Sequence, residues 1–149
     1  MAGVFSRASG APPILYVKGD VSLLSDVQIA VVGSRNPTPD GRQQAESFAE
    51  SLSQHGLAIV SGLAMGIDAA AHQGTLNAGG KTLAVVATGL DRVYPASNRD
   101  LAYEIAEKGA LVSEFPLSTP PKPAYFPRRN RIISGLAVGT LVVEAGMKS

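Results

Sequence analysis

Four cations fall within one short stretch that contains no acid. The 17 residues Phe115 to Arg131 hold Lys122, Arg128, Arg129 and Arg131, while the whole chain carries a net charge of only +1. Tyr125 and Phe126 adjoin the arginines, and Asn130 sits between two of them. Cations beside aromatic rings suit single-stranded nucleic acid, with phosphates on the guanidiniums and a base on a ring. Taken alone, Phe126 reads as a core ring; within the patch it is a candidate base platform. A second candidate anion site is Gly33-Ser34-Arg35. Glycine admits a ligand close to the backbone, N–H groups ahead of a helix favour a negative group, and an arginine adds a bidentate contact.

Three further segments carry groups able to do chemistry. Ser61-Gly62-Leu63-Ala64-Met65-Gly66-Ile67-Asp68 resembles a dinucleotide loop only loosely, because its glycines lie four apart and the Gly-x-Gly-x-x-Gly spacing is absent. Asp68 is placed to cap the following helix. His72 follows it by one helical turn, on the same face. An Asp–His pair can act as acid and base, but no nucleophile accompanies it, and a structural hydrogen bond is the plainer reading. In Tyr94-Pro95-Ala96-Ser97-Asn98-Arg99, Asn98 is a candidate N-cap. Arg99 opposes the dipole of the helix it opens, as a residue serving a ligand would. Glu144 closes the last apolar run and is expected to form an ion pair with one of the arginines; a general acid–base role is the alternative.

These segments need a scaffold, and the apolar runs describe one. Val27–Val32, Leu57–Ser61, Thr82–Ala87, Gly109–Ser113 and Thr140–Glu144 are short and nearly continuous, as strands buried on both faces are. Between them, Asp40–Gln54, Asp68–Asn77, Asn98–Lys108 and Arg128–Ala137 show helical spacing. The alternation predicts an α/β fold: an open, mostly parallel sheet with helices on both faces. Ile14–Val17 reads as an edge strand, residues 1–13 as a flexible segment, and Pro116–Pro127 as an extended loop. In such folds ligands bind at the carboxyl ends of the strands, where all the candidate segments fall.

Composition narrows the chemistry. The chain has 149 residues, 45% apolar and 17% charged, with no cysteine and two histidines. Disulfide scaffolds, thiolate metal sites and cysteine nucleophiles are excluded, and a histidine-rich metal site is not expected. No apolar run reaches the ~20 residues of a membrane helix. The expectation is a cytoplasmic protein with no membrane partner, no metal and no cofactor.

The segments together resemble the DNA-processing protein A family, also called Smf, of bacterial natural transformation. The match is carried by Gly33-Ser34-Arg35, Ser61-Gly62-Leu63-Ala64-x-Gly66-Ile67-Asp68 with His72, Gly89-Leu90-Asp91-x-x-Tyr94-Pro95-x-x-Asn98, Ser113-Glu114-Phe115-Pro116, Phe126-Pro127-x-Arg129-Asn130-Arg131-Ile132-Ile133-x-Gly135-Leu136 and Val142-Val143-Glu144-Ala145. The resemblance implies an extended Rossmann-like domain over residues 14–149 that binds single-stranded DNA, protects incoming DNA, helps load the RecA recombinase and forms a homodimer, without enzymatic activity. It implies DNA contacts from Arg35, Arg99 and Arg129 to Arg131; with the loops and the basic patch read above, the expected DNA-binding set is Gly33, Ser34, Arg35, Ser61, Gly62, Gly66, Asn98, Arg99, Phe126, Arg128, Arg129, Asn130 and Arg131. Asp68, His72, Asp91, Tyr94 and Glu144 are expected in support. The family pattern continues with a Ser-Gly-Ser-Leu-x-Thr-Ala helix start where this sequence stops at Ser149, so the domain is expected to be incomplete at its C-terminus. The alternative is a nucleotide-binding enzyme like the nucleoside-monophosphate phosphoribohydrolases. Their Pro-Gly-Gly-x-Gly-Thr-x-x-Glu phosphate loop corresponds here to Gly135–Glu144, which lacks the Pro-Gly-Gly.

Overall fold

The continuous apolar runs become the strands of one sheet. In a computed structural model, which describes residues 2–5 and 14–145, seven strands lie in the order β1-β2-β6-β5-β4-β3-β7. They are β1 (Ala2–Phe5), β2 (Ile14–Gly19), β3 (Gln28–Gly33), β4 (Ala58–Ser61), β5 (Thr82–Val85), β6 (Ala110–Ser113) and β7 (Gly139–Val143). The pairs joining β3 to β7 are all parallel, whereas β1 and β2 are antiparallel to their neighbours. The helices are α1 (Pro39–Gln54), α2 (Ile67–Asn77), α3 (Arg99–Lys108) and α4 (Tyr125–Leu136).

Alternation along the strands sorts the core. On one face, Val31, Ile59, Ala84 and Leu111 pack under α1, α2 and α3, whose contributions include Ala45, Ala49, Ala71 and Ile105. On the other, Ala30, Val60, Val85 and Val112 meet Ile132 and Ile133 of α4 and Leu23 of a 3₁₀ turn. Three βα units therefore step the sheet in one direction from β3. The fourth, through α4, crosses back to place β7 on the other side of β3. A single hand of crossover puts helices of opposite steps on opposite faces. The strand order therefore reverses between β3 and β7, and such a switch point is where ligands bind in open α/β sheets.

Three expectations change. Ile14–Gly19 is not an edge, since β1 pairs on its outer side. Ala2–Phe5 lies within the segment expected to be flexible, and the rest of that segment, residue 1 and residues 6–13, is outside the described residues, as are residues 146–149. Helix α4 begins at Tyr125 rather than Arg128. Pro127 occupies its first turn, where a missing N–H costs no helical bond. Among the described residues no helix is long and apolar enough to cross a membrane.

Helices α1 and α2 cross at Gly74, where an added Cβ would stand 2.7 Å from Glu46 Cα and collide with the Glu46 carbonyl. Backbone cannot yield as a side-chain tip can. Gly74→Ala should lower stability by roughly 1–3 kcal/mol, measured as the urea midpoint. An unchanged midpoint would show that the crossing is loose.

Candidate nucleic-acid interface

The turn after β3 is built by its neighbour. Ser34 is nearly buried; its hydroxyl accepts from the Asn36 N–H at 3.0 Å and its carbonyl accepts from the Ile67 N–H at 3.0 Å. Gly66, at φ +84°, lies so close that a Cβ would strike the Ser34 carbonyl and approach Arg35. The two loops lock, and Arg35 is left exposed on top. Its guanidinium carbon stands 5.8 Å from the centroid of the Phe126 ring. Tyr94, 52% exposed, places its ring 5.8 Å from Phe126 at a 57° tilt. Beside this group opens a cleft of ≈ 300 Å³ at the sheet's switch point. Arg35, Arg129, Asn130, Ser134 and Thr140 line it over an apolar floor that includes Val32 and Ile133.

Beneath the rim, the backbone of Gly62 is held from both sides. Its N–H donates to Asp68 Oδ2 at 3.0 Å, and its carbonyl accepts from Arg129 Nη1. Arg129 also donates to the Val85 carbonyl at 3.2 Å and through Nε to Asn130 Oδ1 at 2.9 Å. It is 5% exposed. Burial raises the Asp68 carboxyl above its ordinary range and lowers the Arg129 guanidinium, and each charge counteracts the other's displacement. No side chain fits at Gly62, since a Cβ would lie 2.6 Å from Arg129 Nη1.

This arrangement corrects several expected contacts. Arg129 is a buried strut rather than a surface clamp. Ser61 is fully buried and donates to the Val31 carbonyl at 2.6 Å. Gly62 is also buried, with both backbone groups engaged. Asp68 does not cap α2, whose N-cap is Gly66 without a side-chain bond. His72 takes the structural role. The Leu63 N–H donates to its Nε2 at 3.2 Å, so its Nδ1 carries the proton and donates to Thr82 Oγ1 at 2.7 Å. Thr82 passes the chain on to the Ile59 carbonyl. Total burial, and secondarily the Arg129 charge, pull the imidazole pKa down to about 3.

The remaining residues tie loops together. Asn98 occupies the N-cap position of α3 but makes no capping side-chain bond; its amide instead donates to the Leu63 carbonyl at 2.9 Å, joining the third loop to the second. Asp91 Oδ1 accepts from the Ser118 N–H at 2.7 Å, and that bond holds its carboxyl below the usual range. Arg128 pairs with Glu114 at 3.1 Å. Glu144 forms no ion pair among the described residues. It accepts from the Thr38 N–H at 2.8 Å and from the Thr38 hydroxyl, bonds that lower its pKa. Thr38 in turn caps α1, and the carboxylate lies against Gly41 in that helix's first turn. Arg99 and Arg131 are exposed, and neither meets a carboxylate among the described residues. Sequence reading missed the roles of Glu114 and Thr38. Glu114 lies one residue outside the basic window, and Thr38-Pro39 is a recognisable helix-start pair.

A family described as DNA recombination-mediator protein A matches residues 3–149. The chain belongs to this family. It is 48% identical over 139 residues to Protein Smf of Escherichia coli, covering 93% of this chain and 37% of that protein. It is 44% identical over 139 residues to DNA processing protein DprA of Bacillus subtilis, covering 93% and 47%. The crystal structure of DNA processing protein A from Streptococcus pneumoniae superposes with a TM-score of 0.88 at 45% identity, over 93% of this chain and 48% of that one. A Helicobacter pylori structure, described for its single-stranded DNA binding mode, gives 0.90 at 30% identity over 99% and 71%. The chain thus spans less than half the length of these two curated relatives, and the family has the Rossmann-like sheet seen here.

Two measurements test the buried framework. Arg129→Ala removes three hydrogen bonds and leaves Asp68 without its countercharge, so stability should fall by roughly 3–5 kcal/mol, read from denaturant unfolding. A loss under about 1 kcal/mol would place Arg129 at the surface. His72 makes stability pH-dependent. Its unfolded ring takes a proton near pH 6.5, its folded ring only near 3, so between those values the unfolded state binds more protons. The contribution is complete above pH 6.5 and is lost as pH falls, at up to about 1.4 kcal/mol per unit. Asp68, with its raised carboxyl, acts in the opposite sense. Comparison with His72→Gln isolates the histidine: the variant's unfolding free energy should change less between pH 7 and 5.

Proposed function

We propose that this domain captures single-stranded DNA at the carboxyl edge of its sheet, without making or breaking a bond. The observation that carries the reading is the half-buried Phe126 ring, flanked by Tyr94 and Arg35 on the rim of the switch-point cleft. A base stacks on such rings only when unpaired, which favours single strands over duplex. Arg35, Arg99 and Arg131 meet the phosphates, and Asn98, Asn130 and the Gly33–Ser34 and Gly66 turns position them. Asp68 and His72 serve the backbone. The Helicobacter pylori relative, described for its single-stranded DNA binding mode, supports this reading.

For the whole protein, the same proposal extends to protection of incoming DNA during natural transformation, hand-over to the RecA recombinase, homodimer formation and a cytoplasmic location. Support comes from the family's description as a recombination mediator and from relatives named DNA processing proteins.

Fluorescence anisotropy of a labelled oligothymidylate, across salt concentrations and with duplex competitor, tests the reading. Three neutralised phosphates give a slope of log K on log salt of about −2. Arg35→Ala should weaken binding by roughly 1–3 kcal/mol while leaving the melting temperature unchanged. Salt-insensitive binding, or equal competition by duplex, would overturn it.

A further inference from the structure

Among the described residues Glu114 forms the one ion pair with the basic stretch, and its setting is unusual. Its side chain is 8% exposed. Oε2 accepts from Arg128 Nη2 at 3.1 Å, whereas Oε1 is buried without a hydrogen-bond partner. A buried carboxylate with one orphan oxygen is a poor stabilising device. What it does is geometric. Phe115 and Tyr125 stack with centroids 4.4 Å apart, and the Arg128 guanidinium lies 5.0 Å from the Phe115 centroid and 5.9 Å from that of Tyr125. Two rings and one carboxylate therefore fix a planar cation that is still 49% exposed. Lys122 stands 5.9 Å from the Tyr125 centroid. Arg131, three residues after Arg128, shares the outer side of α4. Beyond it Gly135 has open space where a side chain would be. A cationic ridge runs along this side of α4, apart from the Arg35 rim and the cleft.

We propose that Glu114 is a positioning residue for DNA capture: it holds Arg128 flat on the Phe115–Tyr125 stack so that the free edge of the guanidinium meets a phosphate of the strand as it crosses the outside of α4. This rests on the single-stranded DNA reading given above. An arginine already stacked and hydrogen-bonded has little rotamer freedom left to lose on binding, and its planar fork suits a phosphate. The contrasting role for Glu114 is simple neutralisation, in which the carboxylate weakens the field of Arg128. The two roles predict opposite signs for the same variant.

The test is oligothymidylate anisotropy over a salt series with the 149-residue chain, Glu114→Gln, Arg128→Ala and the double variant, each checked by circular dichroism. If Glu114 positions Arg128, Glu114→Gln binds roughly threefold to tenfold more weakly even though a negative charge has been removed. Its salt slope becomes shallower by about 0.7, the value of one phosphate contact, and the double variant binds no more weakly than Arg128→Ala. Glu114→Gln binding as tightly as the parent or more tightly overturns the proposal, as do losses that add in the double variant. Should Glu114→Gln fail to fold, Arg128→Lys decides. It keeps the charge but not the plane, so it should lose most of what Arg128→Ala loses, and parental affinity would overturn the proposal. A parent chain that does not bind the oligonucleotide fails the DNA reading itself, whereas a binding parent with an indifferent Glu114→Gln fails only this inference.

Discussion

The backbone of one residue, Gly62, holds the carboxyl edge of the sheet together. Its N–H and carbonyl are taken by Asp68 and Arg129, two opposite charges drawn from different elements on opposite faces of the sheet. The charges are not within ion-pair distance of each other; they act through the polar groups between them. Arg129 extends the grip to Val85 on the next strand. Buried charge is costly unless it is hydrogen-bonded and countered, and here both conditions hold. Because Arg129 belongs to α4, the same contact fixes that helix against the ends of β4 and β5, and with it Phe126, Arg128 and Arg131.

From that anchor the edge is assembled by short ties between neighbouring loops. Gly66 lies against Ser34, Asn98 reaches Leu63, Asp91 holds Ser118, and His72 supports Leu63 from below. Leu63 itself sits at φ 62°, a backbone conformation that a non-glycine residue keeps only when its surroundings over-determine it. Few of these ties leave a polar side chain free. Arg35, Arg99, Arg128 and Arg131 are left exposed, with the Tyr94 and Phe126 rings beside Arg35, although the chain as a whole is almost neutral.

Much of this was legible from the amino-acid order. Strands β4, β5 and β6 were readable because strands covered on both faces must be apolar at nearly every position, and β3 and β7 because their runs are also short and apolar, although β7 leaves Val142 exposed. The start of α4 was not, because Pro127 reads as a breaker unless one knows that it lies in the first turn. The burial of Arg129 was missed although its signal was present. Residues 129, 132 and 133 share one helix face, and Ile132 and Ile133 mark that face as inward, whereas 128 and 131 lie on the other. Charge counting treats adjacent arginines alike and helical spacing does not. The partner expected for Glu144 was also wrong. A carboxylate near arginines suggests an ion pair, but Thr38 is closer and offers both an N–H and a hydroxyl. Pairings such as Asn98 with Leu63 or Glu114 with Arg128 depend on loop paths that no local pattern encodes.

The Glu144 carboxylate rests on the first turn of α1, the helix that follows the first parallel strand. In Rossmann-like sheets that helix end is where a dinucleotide seats its pyrophosphate. Here the seat is filled from within by an anion covalently part of the chain, and a pyrophosphate approaching it would meet like charge. The sheet keeps its reversal of strand order and a cleft beside it, but not a free helix end there to seat a phosphate. On the reading proposed above, phosphate is met further out, by side chains on an open rim rather than by backbone amides at a helix end. A rim can hold several links of a long polyanion at once and has little grip on a small, detached one.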